Sequence, residues 1–380
     1  MHKFDTIRPF YDSEVNGTLC KIAHHPMMKA LMSFTFPDQK EEQWIDQLKK
    51  THSIRDFQAN FIYNALQKVL EKSSDGLTTS GFEKLEKHEP YLFISNHRDI
   101  ILDTSLLNVC LMDHGLVMTA SAIGDNLVKK SFIYDLSKLN RNFLVQRGLP
   151  PRELLQSSKL MSEYIGQLLF HENRSVWIAQ REGRTKDGND ATHPGVLKML
   201  SMASDEVNLM DYFKKLKIVP VSISYEYDPT DALKMPQLKA EANDEIYIKD
   251  KNEDFVTLLS GIMGQKKRIH IHVGEVLDTE IDAIAAEFDN SNKQIQALAQ
   301  AIDDSILNTY KLWPTNYIAY DLLHNTTTYA HWYTDKEKSL FERRLEIRID
   351  ENNPVEMQGF LAMYANPVIN KSRYQDAHKS

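Results

Sequence analysis

Tyr91-Leu92-Phe93-Ile94-Ser95-Asn96-His97-Arg98-Asp99-Ile100-Ile101-Leu102-Asp103 decides the fold. It opens with a short, unbroken apolar run, the pattern of a strand covered on both faces. It turns polar at Ser95-Asn96-His97, and from 103 to 112 the apolar side chains recur at helical spacing. A strand that feeds directly into a helix is the building unit of an α/β sheet. Function in such sheets gathers in the loops just beyond the strand ends. His97, with Asp99 and Asp103 within reach, stands at such a place; the plainer reading is that Asn96 or Asp99 merely caps the helix.

The pattern repeats on the C-terminal side. Strands are expected at 91–95, 116–120, 143–145, 176–179, 218–225 and 269–273, with amphipathic helices at 103–112 and 154–170. They predict an α/β domain over 86–280 with a mixed, largely parallel sheet flanked by helices. Residues 1–85 read as an N-terminal helical region, because 56–70 carries apolar side chains at 57, 61/62, 65/66 and 69/70. Ser74-Asp75-Gly76 and Ser80-Gly81 then punctuate the chain. Residues 281–380 read as a C-terminal helical region, with a helix over 281–310 and a frayed polar tail from Ser372 onward. Pro220 suits a strand edge or start.

Composition narrows the class. Of 380 residues 42% are hydrophobic and 26% charged, which fits a globular chain rather than a disordered one. A formal net charge of −8 argues against general nucleic-acid binding. Cys20 and Cys110 cannot build a disulfide framework or a four-cysteine zinc site, so reduced thiols and a cytoplasmic setting are expected. Met1-His2-Lys3-Phe4-Asp5 lacks the apolar core of a signal peptide. The most apolar window, 106–124, is broken by Asn108, Asp113 and His114, so no span of a bilayer is expected.

Several general motifs fail. There is no Gly-x-Ser-x-Gly nucleophile elbow. Gly183 and Gly188 have phosphate-loop spacing, but Asn189-Asp190 follows where Lys-Ser/Thr is required. His270 and His272 share one strand face without a third ligand of telling spacing, and His24-His25 is weaker still, so no metal is expected.

Three further segments favour chemistry at His97. Leu139-Asn140-Arg141-Asn142-Phe143-Leu144-Val145-Gln146-Arg147 sets two arginines around a short strand. Trp177-Ile178-Ala179-Gln180-Arg181-Glu182-Gly183-Arg184-Thr185-Lys186 runs from a strand into a loop holding three cations. Ile218-Val219-Pro220-Val221 opens a buried strand. Guanidinium groups at strand ends suit a phosphomonoester, which they hold by paired charge-assisted bonds.

In this order the four segments resemble the four blocks of the glycerolipid acyltransferases, which act on glycerol 3-phosphate or 1-acylglycerol 3-phosphate. The resemblance covers roughly 90–228 and looks like a less-studied bacterial branch. It implies a glycerol-3-phosphate acyltransferase-like sheet and a catalytic His97, which takes a proton from the acceptor hydroxyl as that oxygen attacks an acyl thioester. The family spaces histidine and aspartate by four residues, whereas Asp103 comes one residue later. Either Asp103 or Asp99 therefore orients His97, and Asp103 is favoured. Substrate binding is expected from Asn96, Arg98, Arg141, Arg147, Arg181, Glu182, Gly183, Arg184 and Lys186, although Glu182-Gly183-Arg184 lacks the family's residue between glycine and arginine.

The implied donor is acyl-CoA or acyl carrier protein, with no cofactor. Amides at the helix start after Asn96 are the expected oxyanion donors. The stretch 129–152 sets Lys129, Lys130, Lys138, Arg141, Arg147 and Arg152 among Phe132, Ile133, Tyr134, Leu136, Leu139 and Phe143. It is expected to touch a membrane surface, which would make the protein peripheral on the inner face of the cell membrane. Three rival readings stay open: an amino-acid-type acceptor, an inactive member that binds lipid or carrier, and an unrelated phosphate-binding enzyme.

Overall fold

The structure is a computed structural model and describes residues 3–377. Helices α1 Asp12–Ile22, α2 Pro26–Thr35, α3 Glu41–Lys49, α4 Ile54–Phe57 and α5 Tyr63–Ser73 precede the first strand. They bury Val15, Leu19, Met28, Trp44, Leu48 and Phe57 together with Phe132, Leu139 and Leu144. A π-helical turn, Gln58–Ile62, joins α4 to α5.

The sheet has seven strands: β1 Ser74–Ser80, β2 Leu92–Ser95, β3 Thr119–Gly124, β4 Asn142–Val145, β5 Ser175–Ala179, β6 Ile218–Tyr225 and β7 Lys267–Val273. Their order is β1-β7-β6-β2-β5-β3-β4. The five strands from β6 to β4 are mutually parallel. β7 runs against β6, and β1 runs parallel to β7. The sheet is thus mixed and largely parallel, as expected. It begins at Ser74, ahead of the boundary expected at 86, because β1 carries too little apolar patterning to announce a strand. β1 has one large apolar residue, Leu77, and an edge strand can be polar on both faces.

β2 and β6 are buried at every residue, as strands covered on both sides must be. α5 and α6 Leu102–Asp113 cover one face, where Leu106, Leu107 and Leu111 meet Phe93, Val219 and Ile271. The helices α8 Pro151–Phe170, α9 Pro194–Leu200, α10 Leu209–Lys215, α13 Asp278–Glu287 and α14 Ser291–Thr309 cover the other. α7 Ser131–Leu139 packs with the N-terminal helices, and α11 Asp231–Ala242 and α12 Glu253–Met263 follow β6. Pro220 sits in the interior strand β6, not at an edge. Its carbonyl accepts Gly274 N–H at 2.8 Å, and the missing proline N–H falls at the end of the β6–β7 ladder, whose last pair is Val221 with Val273.

The C-terminal region contains more helix than its sequence suggested: α15 Pro314–His324, α16 Asp335–Arg348 and α17 Pro354–Ala377 follow α14. The expected frayed tail is helical through Ala377, and its last three residues lie outside the described ones. Lys371 anchors that helix by donating to Asn308 O and Tyr310 O, both at 2.8 Å.

Candidate active site

The carboxyl ends of the neighbouring strands β6, β2 and β5 open onto one crevice edge, the usual ligand position in an open α/β sheet. His97 lies there, two residues beyond β2. Its Nδ1–H donates to Asp103 Oδ2 at 2.8 Å, which leaves Nε2 as the basic nitrogen. Asp103 is fully buried and accepts three more bonds: Arg98 N–H at 2.6 Å, Asp99 N–H at 3.1 Å and Tyr225 O–H at 2.9 Å. Four donors thus satisfy both oxygens of this buried carboxylate. The Tyr225 hydroxyl cannot itself ionise, because burial and the adjacent Asp103 hold its pKa well above the usual value.

The extra residue between His97 and Asp103 is taken up in the turn before α6, not within the helix. Asp99 makes that possible. Its Oδ1 accepts Ile101 N–H at 2.9 Å and Leu102 N–H at 2.8 Å, so it caps α6 and does not pair with His97. Burial, then the nearby Asp103, raise its pKa. Most of the amides expected as oxyanion donors are already engaged: the N–H groups of residues 98, 99, 101 and 102 are spent on the two carboxylates, and that of Ile100 is not.

Asn96 and Arg98, expected to touch substrate, instead fasten the site. Asn96 Nδ2 donates to Ile223 O at 2.9 Å and its Oδ1 accepts Ile223 N–H at 2.8 Å, extending the β2–β6 seam. Arg98 is 4% exposed and donates to Asp190 Oδ2 at 2.5 Å; Asp190 also accepts Thr185 O–H at 2.5 Å. Thr185 N–H donates to His97 O at 3.0 Å. The loop after β5 is therefore tied to the histidine turn through both backbone and a buried ion pair.

Helix α17 braces that loop from outside. Asn366 donates to Asp187 O at 2.6 Å, and Gly188, at φ +78°, passes so close that a Cβ would lie 2.2 Å from Met363 O. Gly183 is also left-handed, at φ +72°, but has open space around it. Gly188→Ala should therefore lower stability more than Gly183→Ala. A left-handed alanine costs about 1–2 kcal/mol on its own, and overpacking adds about 1–3 kcal/mol at Gly188 only. Thermal denaturation of both variants checks the order, and equal losses would contradict the brace.

The cations separate into two groups. Arg147, beyond β4, pairs with Glu182, and the two join neighbouring loops at the mouth. Arg184 donates to Thr230 Oγ1 at 3.3 Å. Lys186 makes no hydrogen bond or ion pair with the described residues, and its pKa falls to about 7, through burial first and then Arg184 and Lys234. Arg181 is exposed at the start of the loop. Arg141 does not join them. It precedes β4, and parallel strands place that residue at the opposite edge of the sheet from His97.

Sequence reading missed Tyr225, Trp177 and the pair Lys234–Asp228. Trp177 sets its ring edge-on to His97, with centroids 5.4 Å apart. Lys234, fully buried, pairs with Asp228 beside Arg184 and Arg98. The proximity of Tyr225 to the family-like blocks was the only available signal.

In the stretch 129–152, Phe132, Ile133, Leu139 and Phe143 are buried core and so not free to enter a membrane, whereas Tyr134 and Leu136 are partly exposed. Lys138 is buried as well, over the rings of Phe10 and Tyr134. Among the described residues no helix is long and apolar enough to cross a membrane. His270 and His272 hydrogen-bond to Thr78 and Ser80 of β1.

Residues 76–224 match the family model described as acyltransferase, and this span holds all four motif segments. No curated protein matches the chain. Among solved structures it is similar to the 1-acyl-sn-glycerophosphate (LPA) acyltransferase PlsC from Thermotoga maritima. The identity is 13% and the TM-score 0.37, over 76% of this chain and 94% of that one.

Proposed function

We propose, from the premise that residues 76–224 are a domain of the acyltransferase family, that the protein moves a fatty acyl group from a thioester to a hydroxyl of a glycerol phosphate. The acceptor is glycerol 3-phosphate or its 1-acyl derivative, and the donor is acyl-CoA or acyl carrier protein. The observation that carries this reading is the His97–Asp103 pair beside a cluster of underpaired cations.

In the reaction, Nε2 of His97 takes the acceptor's hydroxyl proton as the oxygen attacks the thioester carbonyl. Nδ1 keeps its proton on Asp103, which favours the imidazolium that forms. The tetrahedral adduct collapses with loss of the thiolate, which the imidazolium protonates, so His97 ends neutral. No covalent acyl-enzyme is needed. Arg147, Arg184 and Lys186 hold the acceptor phosphate, so that the hydroxyl lies against His97. Ile100 N–H, which has no acceptor among the described residues, is available to the oxyanion.

The reading also sets the product at a lipid surface. Val256, Leu259 and Met263 of α12 are exposed. Gly261 of the same helix packs on Asp99, a Cβ there lying 2.0 Å from Asp99 Oδ2. Apolar surface therefore adjoins the histidine turn on this side.

Replacing Arg184 and Lys186 by glutamine should raise KM for a phosphate-bearing acceptor about tenfold to a hundredfold, at about 1.5–3 kcal/mol for charge-assisted bonds, with a smaller change in kcat. An acceptor lacking the phosphate should be indifferent to the change. Because Lys186 loses its charge as pH rises through about 7, acceptor kcat/KM should fall above that pH. Equal effects on both acceptors would remove the phosphate role.

A further inference from the structure

The edge of the sheet opposite His97 carries a second group of cations that acyl transfer does not use. Arg141 immediately precedes β4 and Arg174 immediately precedes β5. β3 lies between those strands and pairs with both. Among the described residues Arg174 Nη1 reaches only Met118 O, just ahead of β3, at a long 3.5 Å. Gln58 donates to Asn140 O at 3.4 Å, which brings the end of α4 to this edge with Arg55 one turn earlier.

The three arginines act on one another. Burial first, then Arg174, push the pKa of Arg141 down to about 10, with Arg55 adding to the effect. Arg174 is lowered by burial, and Arg55 again contributes. The acids that oppose them are Asp12 and Glu172. Neither forms an ion pair with any of the three arginines, and Asp12 Oδ1 accepts Ile54 N–H at 2.9 Å. The backbone at Arg141 is left-handed, at φ 60°, an uncommon state for a residue with a Cβ.

Arg55 is exposed, whereas Arg141 and Arg174 are half-buried; guanidinium groups drawn partly out of water need acceptors, and a cation cluster without them is costly. An anion supplies what is missing. We propose that Arg55, Arg141 and Arg174 form an oxyanion site for a phosphate or phosphomonoester at the sheet edge opposite His97. The arginine fork matches a phosphate's paired oxygens. A five-residue strand separates the two edges by roughly 17 Å, so this site and the acceptor phosphate site are distinct. The phosphate could come free in solution or on a lipid headgroup, and the two sources are separable by experiment.

The test uses the full chain carrying Arg184→Gln and Lys186→Gln, which weakens phosphate binding near His97. Melting temperature is followed against inorganic phosphate at constant ionic strength. A ligand of the folded state alone raises it with concentration, and a rise of several degrees is expected. That rise should vanish on adding Arg141→Gln, and likewise on adding Arg174→Gln. Without phosphate, either substitution should leave the melting temperature unchanged or raise it, because it relieves repulsion. Sedimentation with phosphatidylcholine vesicles, with and without phosphatidic acid, forms the second arm. Arginine-dependent binding to the acidic vesicles assigns a lipid headgroup; a phosphate-dependent rise without such binding assigns a soluble anion. Neither response, a response that survives both substitutions, or a loss of stability in both without phosphate would overturn the site.

Discussion

His97→Ala should lower kcat by about 10²–10⁴-fold, the usual range for losing a positioned general base, while KM for both substrates stays nearly constant. Nε2 touches the acceptor proton only as the carbon–oxygen bond forms, and an interaction confined to the transition state appears in kcat alone. The fold should survive. The His97 side chain is the one donor of the four on Asp103 that substitution removes; the two amides and Tyr225 O–H remain. The backbone link from Thr185 to His97 O is also untouched. Steady-state kinetics with a melting curve on the same sample checks both halves. A tenfold rise in KM with kcat unchanged would make His97 a binding residue instead.

Asp103→Asn should cost less in activity than the loss of His97, and Asp103→Ala much more in stability. An asparagine can turn its carbonyl oxygen toward His97, Arg98 and Asp99, all of which donate, and its amide toward Tyr225, whose hydroxyl can rotate to accept. The turn keeps its shape, and what is lost is the charge facing the imidazolium. At about 1.4 kcal/mol per tenfold, a loss of about 2–3 kcal/mol lowers kcat on the order of 10²-fold. Alanine leaves four buried donors without an acceptor, and a buried polar network broken at its centre typically costs about 3–5 kcal/mol. Comparing kcat and the urea midpoint for both variants tests this. A stable Asp103→Ala protein with wild-type kcat would contradict the role of the carboxylate.

How far the sequence could be read depended on the range of each interaction. β2, β5 and β6 are near-continuous apolar runs between turn residues, so they were visible where they lie. β3 lies at Thr119–Gly124, later than the expected 116–120, because its last four residues are Ser-Ala-Ile-Gly and carry little apolar signal. β1 was invisible because only its partner β7 makes it a strand. The expected helix over 281–310 is two, broken before Asn290, whose side chain caps α14.

At the site, the pairing of His97 with a carboxylate six residues on was legible because it is local. The choice between Asp103 and Asp99 was not, since it depends on which carboxylate the turn directs at the helix amides. Arg141 was misplaced because spacing alone does not reveal at which end of a parallel strand a side chain stands. The braces on the loop after β5 come from Asp303, whose Oδ1 accepts Thr192 N–H at 2.8 Å, and from Met363 and Asn366, all more than 100 residues away. No local pattern announces them.

The most direct test of the central claim follows thiol release and acylated product from long-chain acyl-CoA and acyl carrier protein with purified protein. Glycerol 3-phosphate and 1-acylglycerol 3-phosphate serve as acceptors, with His97→Ala alongside. The expected result is thiol release that requires one of the two acceptors, matches ester formation one to one, and is lost in His97→Ala. Release with neither donor, or equal release from the substituted protein, would contradict acyl transfer by His97.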